Sequence, residues 1–232
     1  MFFRYAEETI VKLLHERLLA EIAGERRRLS RRGLLGGSLK LAGGAAVAMS
    51  LTTIPGGFSI RSMVAAQELT SDLDVLNYAL TLEHLEYAFY RDGVGLFSFG
   101  EDGRGLSIDT NLAAIRDHEG AHVETLASVI TSLGGTPVEE ATYDFGDAYT
   151  DPQAFLTTAA ALENTGVSAY DGAAQFLTDP ELLTAAGSIV AVEARHASYL
   201  NLLTGELPFP AAFETPLTMD EVLEIAGPFI VS

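Results

Sequence analysis

Two Glu-x-x-His pairs, Glu119/His122 and Glu193/His196, sit inside long apolar runs with helical periodicity, and they constrain the fold of this chain more than any other feature. On a helix, residues at i and i+3 share one face with Cβ atoms about 5–6 Å apart, so both side chains can reach one ion. Two more carboxylates, Glu83 and Glu163, stand in the middle of other apolar helical runs. Carboxylates facing a bundle interior without cations carry a large desolvation cost or stay protonated. The helices that bear these residues therefore either converge on shared positive charge or turn the carboxylates outward. In the outward case each pair is solvated, or salt-bridged to Arg116 or Arg195.

The remaining pattern is helical throughout. A first helix is predicted over about residues 72–90, capped by Ser71 or Thr70 and ended by Arg91-Asp92-Gly93. A glycine-rich stretch, Gly93 to Gly105, does not continue into a strand–helix phosphate motif and reads as a loop only. The second helix starts near Asp109 and stops at Gly134-Gly135, with Ile115, Glu119, His122, Leu126, Val129 and Leu133 along one stripe. The segment 134–150 has no clear period and is long enough to cross a bundle from end to end at about 3.3 Å per residue. Asp151-Pro152 and Asp179-Pro180 each supply a cap and a proline for the first helical position. They open helices over about residues 152–177 and 180–204, the latter closed by Gly205. Prolines 208, 210 and 216 then forbid regular helix until a short one near Met219–Ala226. The expected fold is an all-α four-helix bundle with a long crossover between helices two and three, and a tail packed across one bundle end.

Composition narrows the chemistry. There is no cysteine, which excludes disulfides, thiolate metal sites and cysteine nucleophiles. From Gln67 onward four basic residues (Arg91, Arg104, Arg116, Arg195) face 27 acidic ones, and lysine is absent. Such a field repels nucleic acid and attracts cations, so nucleic acid is excluded as a partner. Eight of the fourteen basic residues lie between Arg4 and Arg32. There, after an amphipathic stretch over 1–29, Ser30-Arg31-Arg32-Gly33 precedes an uncharged run from Leu41 to Ile60 broken by glycines and Pro55. A twin arginine before a weakly apolar stretch resembles a twin-arginine export signal, with Val64-Ala65-Ala66 as small residues for a peptidase. The expected organisation is an export signal with an extended N-terminal segment (1–66), the bundle (67–205) and a tail (206–232). The expected location lies across the cytoplasmic membrane, periplasmic or extracellular. Left uncleaved, the signal would tether the bundle to the membrane.

Placed side by side, the two halves of the bundle repeat. Helix one carries Glu83 with Tyr90 seven residues later, and helix three carries Glu163 with Tyr170 seven later. Helices two and four each carry one Glu-x-x-His. Four carboxylates supply four negative charges against two divalent ions, and imidazole nitrogens complete each ion while leaving open positions. A Glu from each of two helices plus a Glu-x-x-His from each of two others is the pattern by which ferritin-like di-iron and di-manganese proteins are known, so the match is a resemblance. LNYALTLEHLEYAFY, LENTGVSAYDGAA, VEARHASYL and the Tyr-Asp-Phe-Gly crossover are the pieces that resemble the ferritin-like superfamily, in particular its exported ferritin-like domain proteins, over about residues 70–205.

The resemblance implies Glu83, Glu119, His122, Glu163, Glu193 and His196 as ligands of two iron or manganese ions, with oxygen or peroxide as reactant. The Glu-x-x-Glu spacing leaves Glu86 as the alternative to Glu83, which the tyrosine at +7 favours. Asp117 and His118 could substitute in a shifted register. Tyr90 and Tyr170 either hydrogen-bond or relay electrons to the ligating carboxylates, or simply fill the core. His84 and His15 read as surface residues. The functional expectation is an exported protein that oxidises Fe(II) or consumes peroxide or oxygen. The competing one is a non-catalytic, stress- or desiccation-associated bundle with structural or no metal. A homo-oligomer stays an open expectation, since no assembly surface is identifiable.

Overall fold

A computed structural model of the chain describes residues 69–231. The predicted signal and His15 lie outside that range. The elements are α1 (Asp72–Gly93), α2 (Ile108–Ser132), a 3-10 turn (Gly146–Tyr149), α3 (Pro152–Ala174), α4 (Pro180–Thr204), α5 (Met219–Ala226) and a second 3-10 turn (Gly227–Phe229). The described residues form an all-helical bundle with no strand, only two isolated bridges, Glu101 with Ser107 and Tyr143 with Ile230. No described helix is long and apolar enough to cross a membrane.

Local sequence explains the helix ends. The side chains of Ser71, Ser107, Asp151 and Asp179 accept hydrogen bonds from Asp74, Thr110, Ala154 and Glu181 N–H, satisfying donors that a first turn leaves orphaned. Gly205 closes α4 in the left-handed region at φ 84°, where a glycine costs nothing. Thr218 and Glu221 form a reciprocal capping box on α5. α2 opens at Ile108 on Ser107, slightly ahead of the expected Asp109. α3 stops at Ala174, short of the expected 177, because Phe176 and Leu177 N–H turn back to the carbonyls of Ala173 and Ala174. That tightening delivers Thr178 to the Asp72 carboxylate, with N to Oδ1 at 2.7 Å.

α1 runs antiparallel to α2 and to α3, and α3 antiparallel to α4, as the pairings Leu73 with Gly135, Tyr87 with Gly120, Phe89 with Phe155, and Asn164 with Asn201 require. α2 therefore ends at the opposite end of the bundle from the start of α3. The crossover spans that distance along α1: Val138 N–H bonds Asn77 Oδ1 (2.8 Å), Glu140 pairs with Arg91 (2.9 Å) and Tyr149 O–H bonds the Phe89 carbonyl (2.9 Å). His84 corrects an expectation here. It is half-buried rather than on the surface, because its Nε2 meets the Val138 carbonyl of the crossover at 3.2 Å.

The tail also differs from expectation. It lies against the flank of α3 and the crossover: Leu217 N–H bonds the Ser168 carbonyl (3.0 Å), and Asp144 and Val231 N–H pair with the carbonyls of Phe229 and Thr142. Gly172 permits this approach, since a Cβ there would fall on the Leu217 carbonyl oxygen. Val222 and Ala226 of α5 join the main core.

Each long helix is apolar at both ends of its inward face and acidic in the middle. On α1, Leu76 and Leu80 precede Glu83 and Glu86, and Phe89 and Tyr90 follow; on α2, Leu112 and Ile115 precede Glu119 and His122, and Leu126 and Ile130 follow. α3 runs from Phe155 through Glu163 to Tyr170, and α4 from Ile189 through Glu193 and His196 to Leu200. The apolar residues fall in two clusters, one rich in phenylalanine and tyrosine, the other smaller and largely aliphatic. The carboxylates form a layer midway along the four helices, with apolar residues toward both ends.

Candidate metal centre

Glu83, Glu119, Glu163 and Glu193 are fully buried, Glu86 is 3 % exposed and His196 6 %. Such burial of charge-bearing groups needs compensation inside the layer. His122 Nδ1 lies 3.2 Å from Glu83 Oε2, 3.0 Å from Glu119 Oε2 and 3.1 Å from Glu193 Oε1. His196 Nδ1 lies 3.0 Å from Glu119 Oε1 and 3.1 Å from Glu163 Oε2. The six residues inferred from the ligand pattern are thus brought together.

They form two overlapping groups. Glu83, Glu119, His122 and Glu193 make one, Glu119, Glu163, Glu193 and His196 the other, with donor atoms within 4.8 Å of one another in each. Either group could hold a metal ion. Glu119 and Glu193 belong to both, whereas Glu83 with His122 and Glu163 with His196 belong to one each. Sequence spacing had not separated these two roles. Arg116 pairs with the neighbouring Asp117 at 2.7 Å, and Arg195 pairs with no carboxylate among the described residues, so neither neutralises the layer.

The residues fit a cation better than they fit one another. Glu119 Oε1 and both oxygens of Glu193 are buried without a hydrogen bond. The first two are close to imidazole nitrogens, but the approach is not along an N–H direction. Buried carboxylate oxygens and imidazole nitrogens gathered within 4.8 Å of one another, three of the oxygens left without a hydrogen bond, are what a ligand set presents.

The protonation pattern follows from burial without metal. Desolvation pushes Glu83 up to about 7, and acts in the same direction on Glu86, Glu163 and Glu193, reinforced by their neighbouring carboxylates. Desolvation also acts upward on Glu119, but the neighbouring His122 and His196 imidazoles outweigh it and hold that carboxyl down to about 2. The imidazoles move the other way: burial lowers them, yet their carboxylate partners raise His122 to about 12 and His196 to about 9. Protons occupy the place of cations.

The surrounding residues orient the donors. Tyr90 O–H donates to Glu163 Oε1 at 2.8 Å, and Tyr170 O–H donates to Glu83 Oε1. Each tyrosine thus serves the carboxylate of the opposite helix, a reciprocity that the shared +7 spacing on antiparallel helices produces. His118 shares a hydrogen bond from its Nδ1 to His196 Nε2 at 2.9 Å, with the two rings nearly coplanar and their centroids 5.2 Å apart. A partner on the far nitrogen fixes the tautomer and orientation of a ligating histidine. His118 is therefore not a substitute ligand in a shifted register; it supports His196 from behind, and its place four residues before His122 on one helical face was the available signal.

Glu86, the alternative to Glu83, stands in the same layer and outside both groups. Its carboxylate packs over Gly166, where a Cβ would lie 2.9 Å from Glu86 Oε1 and 3.4 Å from Glu193 Oε2. A glycine inside a helix costs about 0.8–1.0 kcal/mol relative to alanine, and here it makes room for two carboxylates. Asp117 is exposed and salt-bridged to Arg116, away from the layer.

An antiparallel bundle whose core is split by a layer of glutamates and histidines defines a class of helical proteins able to hold cations inside the bundle. The ferritin-like domain family matches residues 71–206 of this chain. The chain belongs to that family. A comparison with characterised proteins returned no match.

Proposed function

We propose that the bundle holds a pair of iron or manganese ions and oxidises Fe(II) or consumes peroxide or oxygen. The observation that carries this reading is the sharing of Glu119 and Glu193 between two donor groups, each completed by its own glutamate and histidine. Shared carboxylates suit two ions a short distance apart, and a single structural ion would need only one of the groups. Bound there, the ions would supply electrons one at a time to an oxygen-based oxidant.

The chain's own residues set the conditions for that chemistry. Glu83 with His122 and Glu163 with His196 would hold one ion each, and Glu119 and Glu193 would span them. Tyr90 and Tyr170 hold the outer carboxylates in orientation through their O–H groups, and these contacts are also the route for the electron relay expected of them. Buried apolar residues toward both ends of the helices exclude water from the layer. The acidic field of the described residues concentrates cations near the bundle.

Export belongs to the same reading. It is supported by Ser30-Arg31-Arg32-Gly33 and the uncharged run that follows. A twin-arginine route carries folded proteins, so the metal would be loaded before export.

The test is oxygen or peroxide consumption by the full chain on addition of Fe(II). Turnover that disappears in Glu193→Ala supports the proposal. Metal bound at about two ions per chain without any consumption of oxidant would overturn the catalytic part and favour a non-catalytic bundle.

A further inference from the structure

Between α2 and α4, beside His196, lies a groove of about 220 Å³. Its walls come from the first half of α2 (Asn111, Ala114, Ile115, His118), the second half of α4 (Arg195, His196, Tyr199) and the glycine-rich loop (Asp102, Arg104, Leu106). Only four basic residues occur from Gln67 onward. Two of them, Arg91 and Arg116, are tied to Asp92, Glu140 and Asp117 at 2.7–2.9 Å. The other two, Arg104 and Arg195, pair with no carboxylate among the described residues, and both line this groove.

We propose that the groove between Arg104 and Arg195 binds a small organic carboxylate. A guanidinium presents a planar fork of donors matched to a carboxylate, and two unpaired ones beside a concavity leave a local positive site in an acidic field. Asp102 shares the lining and offsets part of this charge, its Oδ1 accepting from the N–H groups of Arg104 (2.8 Å) and Leu106 (3.0 Å) within the loop, so the two guanidiniums leave a net positive charge of one among these three groups.

The volume falls below the range of about 300–1,000 Å³ typical of drug-sized ligands, which favours a small molecule. The apolar walls at Leu106, Ala114 and Ile115 want an apolar body behind the anionic end, which inorganic phosphate lacks. Asn111 Nδ2 donates to Tyr199 Oη at 2.9 Å and holds that ring against the groove. His118 stands exposed on the wall beside the buried His196, its Nδ1 engaged by His196 while Nε2 has no protein partner among the described residues. A carboxylate reaching His118 Nε2 is connected through two imidazoles to the donor group of Glu119, Glu163 and Glu193. The groove thus offers the metal layer a co-substrate or regulator of defined chemistry, although binding itself does not depend on the oxidation proposed above.

Calorimetric titration of the full chain with benzoate tests the proposal, with inorganic phosphate as the second probe. Benzoate should bind saturably at one site per chain, about tenfold more weakly in the Arg104→Gln/Arg195→Gln double variant. Ala114→Phe, at an exposed position, should abolish binding by filling the groove with both arginines intact, while Arg116→Gln should leave it unchanged. The His118 ring resonances should shift on saturation. Absence of saturable benzoate binding overturns the proposal, as does binding insensitive to both the double variant and Ala114→Phe. Phosphate binding in place of benzoate overturns the organic-carboxylate assignment.

Discussion

Glu119 and Glu193 differ from Glu83 and Glu163 in a way that a metal titration reads directly. Removing Glu83 dismantles one donor group and leaves Glu119, Glu163, Glu193 and His196 intact. Removing Glu193 takes an oxygen from both. With about two ions per wild-type chain, Glu83→Ala should retain about one, and Glu193→Ala should lose both at the same metal concentration. Elemental analysis after gel filtration measures this, and equal losses in the two variants would contradict the shared arrangement. That these carboxylates and imidazoles share one buried layer was legible in the sequence because each lies on a helical stripe of otherwise apolar residues. Their division into shared and unshared was not, since it depends on how four helices are rotated against each other, which long-range packing decides. The choice between Glu83 and Glu86 turned on the same point: both lie on the buried face of α1, and the space over Gly166 takes Glu86 out of the donor groups.

At the scale of elements, caps and periodicity located the four long helices to within a few residues, and Met219–Ala226 was placed at its observed bounds. What local pattern did not carry was the path of segments without a period. The crossover follows α1 because Asn77, His84, Arg91 and the Phe89 carbonyl offer it partners along the helix. The tail runs beside α3 because Gly172 allows Leu217 to approach the helix backbone. Gly172 gives the docking a single test. Gly172→Ala raises helix propensity, yet its Cβ would occupy the position of the Leu217 carbonyl, a clash of the kind that costs about 1–3 kcal/mol. The variant should melt at lower temperature, with faster hydrogen exchange in α5 and unchanged protection in α1. Exchange in α5 at the wild-type rate would mean that the tail does not depend on that contact.

For the whole molecule, the burial of five glutamates in one layer couples folding, protonation and metal. Glu83 sits at about 7 in the metal-free fold against an ordinary 4.5, because desolvation disfavours its charged form. Its proton is therefore held more tightly folded than unfolded. The stability it contributes is complete below about 4.5 and is lost as pH climbs through about 7. Glu86, Glu163 and Glu193 are shifted in the same direction and add to the loss. His196 and His122, raised to about 9 and about 12 by their carboxylate partners, lose their contribution higher still. Within the layer Glu119, held down to about 2, acts in the opposite sense, losing its contribution as pH falls through that value, and outside it His84 and His118, lowered by burial, also favour the fold at higher pH. The metal-stripped chain should accordingly melt at lower temperature at about pH 8.5 than at about pH 5.5. Metal reverses the trend. An ion binds the deprotonated donors and displaces these protons, so its affinity rises with pH, and an ion that binds only the folded state raises the melting temperature by mass action. Calorimetric melts of stripped and Fe(II)- or Mn(II)-loaded chain at the two pH values should therefore diverge, with the gap widest at the higher pH. A stripped chain that gains stability on going from the lower to the higher value would mean that the layer is not a store of protons awaiting exchange for cations.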